Sequence, residues 1–196
     1  SFRTLDFPDL TADGSFPLGG AVAGISIVAG VNPWLACAFG MLAGSIAGIV
    51  TAWLHVKLGI LQLFASILVM VALYSVNLRI MGAPNLPLLG ETTVFSTLVT
   101  NGNGYWMRCL IIGVVVAIAM LFLNWFYSTE TGLSMRATGS NLRMAQAQGI
   151  NTSWMTIIGM AISNGLIALA GALFVQTQGG ADISIGIGTI VIGLAA

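Results

Sequence analysis

The sequence predicts an all-α fold: a polytopic bundle of transmembrane helices with about five complete spans and one truncated span. Composition is the first reason, because 6% of the 196 residues are charged and 57% are hydrophobic, whereas a soluble domain carries about 25% charged residues. The second reason is that the apolar residues form long runs separated by short polar segments, as in helices that cross a bilayer.

Six apolar runs account for the predicted helices. The five complete runs are about 17 to 24 residues long, and roughly 20 residues cross the hydrocarbon core of a bilayer. They cover about 15–31, 33–54, 58–81, 107–127 and 154–175, and a sixth extends from about 185 to the end. Because the chain starts without Met and stops within an apolar run, we expect residues 1–196 to form a single transmembrane domain that is an internal piece of a longer chain.

Tryptophan placement supports the same spans. Trp34 and Trp53 bracket the second run and Trp106 and Trp125 bracket the fourth, each pair nineteen residues apart. Nineteen helical residues extend about 28 Å, which is close to the separation of the two interfacial aromatic belts of a membrane. Trp154 opens the fifth run, so all five tryptophans lie at the ends of predicted spans.

Small residues predict close contacts between helices. Gly40, Gly44 and Gly48 share one face of the second run at four-residue spacing, a pattern that lets helix backbones approach each other in lipid. The cysteines, Cys37 and Cys109, lie within or at the edge of apolar runs, which favours buried structural thiols over a disulfide, a metal site or a reactive thiol.

Several function classes lack their sequence signals. The formal net charge of zero gives no attraction to nucleic acid. The one lysine, Lys57, follows Val56, so the chain has no G-x-x-x-x-G-K phosphate loop. With a single histidine and neither H-E-x-x-H nor G-x-S-x-G, no metal site or serine hydrolase is predicted. We therefore expect no enzyme and no catalytic residues.

Positive charges suggest the orientation of the bundle. His55 and Lys57 follow the second run, and the 128–153 loop carries Arg136 and Arg143. Alternation of the spans places these two connections on one side. The excess of Lys and Arg on that side is small, and it favours the cytoplasm.

Residues 139–154, GSNLRMAQAQGINTSW, are a polar segment between two apolar runs. Ser140 or Asn141 suits the N-cap of a helix of about two turns, LRMAQAQ, and Gly139 and Gly149 mark a stop at each end. So short a helix is not stable alone and must pack against something. Asn151 and Thr152 then offer the cap for the span that begins at Trp154.

Small side chains keep the surface of this predicted helix low. Ala145 and Ala147 would let another protein approach closely. An ordinary solvated connector is the alternative interpretation.

The stretch LSMRATGSNLRMAQAQGINTSW, residues 133–154, resembles the cytoplasmic loop of membrane permeases in the branched-chain amino acid and ribose class of ABC importers. That loop typically reads R-A-x-G-x-N-x-x-x-A-x-x-x-G-I, and the matching positions are Arg136, Ala137, Gly139, Asn141, Ala145, Gly149 and Ile150. A proline commonly follows the Asn in this class, whereas this chain has Leu142. Residues 2–24 and 178–196 resemble a poorly characterised subgroup linked to amino acid uptake.

The resemblance implies that region 139–150 is a cytoplasmic coupling helix that docks onto a separate ABC ATPase subunit. ATP would bind to that partner, so this chain would hold no cofactor. A second permease subunit (identical or different), an extracytoplasmic solute-binding protein and a multi-pass position in the bacterial plasma membrane are also implied. The residues assigned to ATPase coupling are Arg136, Gly139, Asn141, Leu142, Arg143, Ala145 and Gly149.

Polar residues within the apolar runs are candidates for a solute pathway. Gln62 and Ser66 share a helix face at i, i+4, and Asn164 lies in the fifth run. These side chains could line a path or bond neighbouring helices. The interiors of spans two to five carry no charge, which argues against an ion-coupled carrier with a carboxylate relay.

The segment DFPDLTADGS, residues 6–15, supplies a further candidate, Asp13. By resemblance this is a broken-helix region that faces the solute path. A connector whose aspartates cap the next helix is an equal alternative. The 82–106 loop is long and could meet a solute-binding protein or fold over the bundle.

The sequence therefore predicts the permease subunit of an ABC importer for an amino acid or similar small polar solute. The alternative is an ATP-independent channel or secondary carrier for a small neutral solute, in which the polar loop is a connector. Amino acid, sugar and nucleoside all remain open as solutes.

Overall fold

The computed structural model describes residues 8–88, 90, 92–98, 104–186 and 188. Its helices are α1 Ala12–Val28, α2 Pro33–Leu58, α3 Gln62–Met81, α4 Val94–Leu98, α5 Gly104–Ser128, α6 Glu130–Ser140, α7 Leu142–Ala147 and α8 Thr152–Gln178. Two short strands, β1 Asn85–Pro87 and β2 Gly180–Asp182, pair antiparallel, and a 3₁₀ turn, Ile183–Gly186, follows β2.

The all-α membrane bundle predicted from the sequence is confirmed. Within the described ranges, α2, α3, α5 and α8 are long and apolar enough to cross a membrane, so the chain is a multi-pass membrane protein. The first run forms α1, whose 17 residues extend about 26 Å and fall slightly short of a typical span. The predicted sixth run lies almost entirely outside the described residues.

Local signals set the ends of the long helices. Asn32 accepts a hydrogen bond from the backbone N–H of Trp34 and so caps α2, whose first residue is Pro33. Helices α2 and α3 are followed directly by Gly59 and Gly82, which adopt φ values of 66° and 68°. This left-handed conformation is accessible to glycine without steric cost, which explains the stops.

The long helices alternate in direction, which defines two ends of the bundle. The α7 end contains α6, α7 and the last residues of α2, because Ala52, Met135 and Met160 form one buried cluster there. His55 and Lys57 lie just beyond Ala52 in α2, so they share this end with the 128–153 loop, as predicted. The opposite, ribbon end contains β1 and β2.

Helices α1, α2 and α8 form the tightly packed centre of the bundle, with the α2 glycines at their contacts. A Cβ atom on Gly44 would lie 2.6 Å from the carbonyl oxygen of Asn164 in α8, and one on Gly40 would lie 2.8 Å from that of Gly19 in α1. Gly48 meets α8 in the same way. The predicted role of these glycines in close packing is therefore confirmed.

Helix α5 contacts the other described elements through few residues. Cys37 in α2 is buried as predicted, but the prediction that Cys109 is buried is wrong, since it lies on an exposed face of α5.

The tryptophans at the span ends also face outward and expose 48–82% of their surface: Trp34, Trp53, Trp106, Trp125 and Trp154.

The described part of the 82–106 loop folds onto the bundle. Strand β1 pairs with β2, and the N–H of Val94 in α4 donates to the side-chain oxygen of Gln176 in α8 at 3.0 Å. Val94 and Phe95 are buried. Folding over the bundle is thus the alternative that the described residues support.

Candidate functional site: a short exposed helix and a buried polar network

The 128–153 loop contains two helices, whereas the sequence analysis predicted one. Thr129 caps α6 by accepting a hydrogen bond from the N–H of Gly132, and Glu130 occupies the first turn, where a negative charge favours a helix. Gly139 lies inside α6, so the prediction that it stops a helix is wrong. The helix breaks two residues later, at Asn141, whose extended backbone (φ −154°, ψ 100°) separates α6 from α7.

Helix α6 is fixed against the α7 end of the long helices. Met135 is almost fully buried between Ala52 of α2 and Met160 of α8. Gly132 lies directly against the backbone of Phe126 and Tyr127 at the end of α5. Helix α6 is therefore packed against the ends of α2, α5 and α8.

Helix α7 has a complete cap at each end. The Asn141 side chain accepts from the N–H of Met144 at 3.1 Å, which resolves the choice between Ser140 and Asn141 as the N-cap. At the other end the N–H of Ile150 donates to Ala145 and that of Gly149 to Gln146. This pair of bonds is a Schellman motif, which satisfies carbonyl groups at a helix end.

Gly149 supplies the left-handed residue of that motif. Its φ is 81°, a conformation that costs other L-residues roughly 1–2 kcal/mol. Asn151 then caps α8 by accepting from the N–H of Trp154 at 3.2 Å, as predicted. The six-residue helix α7 is thus held in one orientation by local bonds and by its neighbours.

Ala145 faces inward, which corrects one expectation. It exposes only 2% of its surface, so it anchors α7 to the bundle and does not keep the outer surface low. Ala147 remains exposed. Among the predicted coupling residues, Asn141, Ala145 and Gly149 therefore position α7.

The outward surface of the two helices combines apolar and positive side chains. Leu142 and Met144 expose 53% and 60% of their surface. Arg136 on α6 and Arg143 on α7 are exposed as well. We call Arg136, Leu142, Arg143 and Met144 the docking face. Exposed apolar side chains flanked by charge are typical of a surface that binds another protein.

A buried polar network joins α8 to the segment that enters α1. Asn164 is fully buried, its Oδ1 accepts from the Ser15 hydroxyl at 2.7 Å, and its Nδ2 donates to the Asp9 carboxyl at 2.7 Å. Asp9 also accepts from the N–H of Thr11 at 2.9 Å. The hydroxyl of Thr11 lies 3.0 Å from that of Thr51 in α2.

This network was not predicted from the sequence as a unit, and it bears on the role of Asn164. Both polar atoms of the Asn164 side chain have partners within the bundle, which favours helix bonding over contact with a solute. The position of Asp9 is compatible with both interpretations of residues 6–15, as a region that faces the solute path and as a connector that caps the next helix. Its carboxyl group lies at the depth of Asn164, within the bundle, and it also bonds the backbone just before α1.

The other predicted pathway residues lie apart from one another. Ser66 is fully buried and its hydroxyl donates to Leu63 of the same helix at 2.9 Å. Gln62 is half-buried as the first residue of α3, at the α7 end and not in mid-span. Asp13 is half-buried in the first turn of α1. The four candidates do not form one described site.

Asn77 of α3 contrasts with Asn164. It is also buried, and its Nδ2 donates to the carbonyl oxygen of Gly14 at a long 3.4 Å. Its Oδ1 has no hydrogen-bond partner among the described residues. One buried asparagine therefore joins helices through short bonds, while the other is only partly satisfied.

Comparison with known proteins identifies the family of the chain. The whole chain, residues 1–196, matches the family described as branched-chain amino acid transport system, permease component. It is 40% identical over 196 residues to a tyrosine transport system permease protein of Clostridioides difficile (strain R20291), covering 100% of this chain and 64% of that protein. The chain thus spans about two thirds of the length of that relative.

Two further relatives are more distant. An uncharacterised protein of Rickettsia prowazekii (strain Madrid E) is 36% identical over 198 residues, covering 100% of this chain and 68% of that protein. An autoinducer 2 import system permease protein of Photorhabdus luminescens is 26% identical over 174 residues, covering 81% of this chain and 46% of that protein. No solved structure matches the chain.

Proposed function

This chain belongs to the family of branched-chain amino acid transport permease components, and from that premise we propose that it forms the solute pathway of an ABC importer. The importer would draw its energy from ATP bound and hydrolysed by a separate subunit. A second permease subunit and an extracytoplasmic solute-binding protein would complete the assembly. The bacterial plasma membrane would be its location, with the α7 end in the cytoplasm.

The observation that carries this proposal is the docking face. Leu142 and Met144 are apolar and exposed, on a helix that its caps and the buried Ala145 hold rigidly. An ATPase that binds α7 could move α6 with it, because the two helices are in contact. Met135 of α6 packs in turn against Ala52 of α2 and Met160 of α8. Motion at the ATPase would thereby reach two spanning helices directly.

The charges of the docking face fit a partner with acidic groups around an apolar groove. Arg136 and Arg143 are exposed beside the apolar pair. Apolar anchors supply most of the binding energy of such an interface, while charges at the rim mainly set the orientation and rate of docking. We therefore assign anchoring to Leu142 and Met144 and orientation to the arginines.

We propose an amino acid as the solute. The support is the relative from Clostridioides difficile, which matches this chain over its whole length and is named for tyrosine transport. The relatives named for autoinducer 2 import match less of the chain at lower identity. Of the candidate pathway residues, Asp13 and Gln62 keep exposed surface, whereas Ser66 and Asn164 do not.

The test is to place a charge within the docking face. Met144→Glu should weaken association of the full-length permease with its ATPase about tenfold or more, because a central apolar anchor is worth about 2 kcal/mol or more. Co-purification and solute-stimulated ATP hydrolysis are the measurements. Met144→Leu keeps an apolar anchor and should behave like the unchanged protein, and thermal unfolding should be the same for both variants.

Two results would overturn the proposal. One is unchanged ATPase association and unchanged uptake in Met144→Glu. The other is uptake by the purified full-length permease alone, in liposomes without ATP, which is the behaviour of a channel or secondary carrier.

A further inference from the structure

The ribbon end holds an open cavity of about 540 Å³. Its walls are β1, β2, the last turn of α8 and the 3₁₀ turn that follows β2. Cavities that bind small ligands have volumes of about 300–1,000 Å³, so this one is large enough for an amino acid. It lies at the end of the bundle opposite to the docking face.

Strand alternation builds the polar wall of the cavity. Asn85 pairs with Asp182 and Pro87 pairs with Gly180 across the ribbon. Directly opposed residues of an antiparallel pair project to the same face, and all four of these residues line the cavity. The intervening residues Leu86 and Ala181 project to the other face and pack into the core.

Asp182 is the one charged residue among those described as lining the cavity. The N–H of Ser184 donates to its Oδ1 at 2.8 Å, and the Ser184 hydroxyl donates to the same oxygen at 2.7 Å. These bonds lower the pKa of Asp182, so the carboxylate is charged at neutral pH. Both bonds are made to Oδ1, and Oδ2 of the same carboxylate receives no hydrogen bond from the described residues.

The end of α8 adds to this negative potential. The helix ends at Gln178, and both Gln178 and Gly179 line the cavity. The last carbonyl groups of a helix carry the partial negative charge of its dipole, equivalent to roughly half an elementary charge. A cation in the cavity would therefore be stabilised by two independent features.

An aromatic ring completes the wall. Phe174 lines the cavity and exposes 40% of its surface. Its ring is held 5.7 Å, centroid to centroid, from the ring of Phe16 in α1. The face or edge of a phenyl ring accepts apolar groups, and its face also attracts cations.

We propose that this cavity binds the ammonium group of a small amine-bearing organic solute at the Asp182 carboxylate, with the apolar part of the solute against Phe174. Asn85 and Gln178 also line the cavity, and their amide groups would be the donors for the carboxylate group of an amino acid. This assignment rests on the proposed function, since it adds a solute-receiving site to the permease. It identifies the ammonium group as the part of the solute that binds to the permease on the side opposite to the ATPase.

Two probes that differ in charge test the assignment. 2-Phenylethylamine carries an ammonium group and 3-phenylpropionate a carboxylate, each on a phenyl ring with a two-carbon linker. In the full-length permease, assembled with its ATPase in nanodiscs, the amine should bind and the carboxylate should not. Asp182→Asn should weaken amine binding about tenfold or more, since hydrogen bonds to charged groups are the strong ones.

Matched variants separate the charge of Asp182 from its structural role. Asp182→Glu keeps the charge and should retain amine binding within a few-fold. Glu130→Gln removes an exposed carboxylate at the α7 end and should leave amine binding unchanged. Basal ATP hydrolysis and ATPase association should be equal in the two Asp182 variants and the unchanged protein, so a failure of the proposed function would be visible separately.

The assignment is overturned if neither probe binds, if both probes bind equally, or if amine binding survives Asp182→Asn. It is also overturned if Asp182→Glu loses binding as completely as Asp182→Asn.

Discussion

Replacing Asn164 by leucine tests how the buried polar network holds the bundle together. Leucine has the same branched skeleton and number of side-chain heavy atoms as asparagine, so the change removes hydrogen bonds without leaving a large cavity. It strands two groups that Asn164 now satisfies through bonds of 2.7 Å: the Ser15 hydroxyl and one oxygen of the Asp9 carboxyl. The lost bond to Met160 in the same helix is longer, at 3.2 Å.

The expected cost follows from these bonds. A buried polar group without a partner costs about 1–3 kcal/mol, whereas hydrogen bonds between helices in lipid average only about 0.6 kcal/mol because the unfolded chain finds other partners. For two stranded groups, one on the fully buried Ser15 and one on the partly buried Asp9, we expect Asn164→Leu to lower the free energy of unfolding by about 2 kcal/mol.

Asn77→Leu is the matched control. Its Oδ1 has no partner among the described residues and its one described bond, to Gly14, is 3.4 Å long. Because little is lost, the free energy of unfolding should change by less than about 1 kcal/mol in either direction. The measurement is reversible unfolding of the full-length permease in mixed micelles. Equal costs for the two variants would refute the reasoning, as would a negligible cost for Asn164→Leu.

Two further predictions concern packing. Gly44→Ala should destabilise the bundle by about 1–3 kcal/mol, since the new methyl group would overlap the Asn164 carbonyl. The new methyl group of Gly113→Ala on α5 meets nothing within 4 Å, so this variant should be neutral or slightly stabilising. Equal unfolding midpoints for Gly44→Ala and Gly113→Ala would contradict the close contact between α2 and α8. Ala145→Leu should release α7 and accelerate amide hydrogen exchange over 142–147, whereas Ala147→Leu, at an exposed position, should leave it unchanged. Equal exchange in both variants would show that Ala145 is not an anchor.

The sequence predicts the long helices well because a membrane permits few alternatives. Every backbone polar group in lipid must be satisfied internally, so an apolar run of span length forms a helix. The run predicted over 33–54 is α2 Pro33–Leu58, and the run over 154–175 is α8 Thr152–Gln178. Composition and length determine these elements without knowledge of their neighbours.

The sequence predicts the short elements less completely. Helix α6 has little apolar periodicity and contains Gly132 and Gly139, so its pattern resembles a loop. Thr129 followed by Glu130 is a helix-start signal that could have indicated it. The inward position of Ala145 depends on how α6 and α7 cross, and an alanine looks the same in sequence whether it is buried or exposed.

The candidate site could also be predicted from the sequence only in part. The asparagine caps of α7 and α8 are local, and the sequence predicts both of them. The contact of Asp9 with Asn164 joins residues 155 positions apart, and no local pattern indicates that pairing. The cavity at Asp182 likewise needs the register of two strands that are far apart in the chain.

The most direct test of the account is photo-crosslinking from the docking face. A photoreactive amino acid placed at Met144 of the full-length permease, in native membranes, should crosslink to the ATPase subunit. One placed at Asn85, at the ribbon end, should not. Crosslinking from Asn85 but not from Met144 would contradict the claim that α7 transmits the motion of an ATP-driven partner to the bundle.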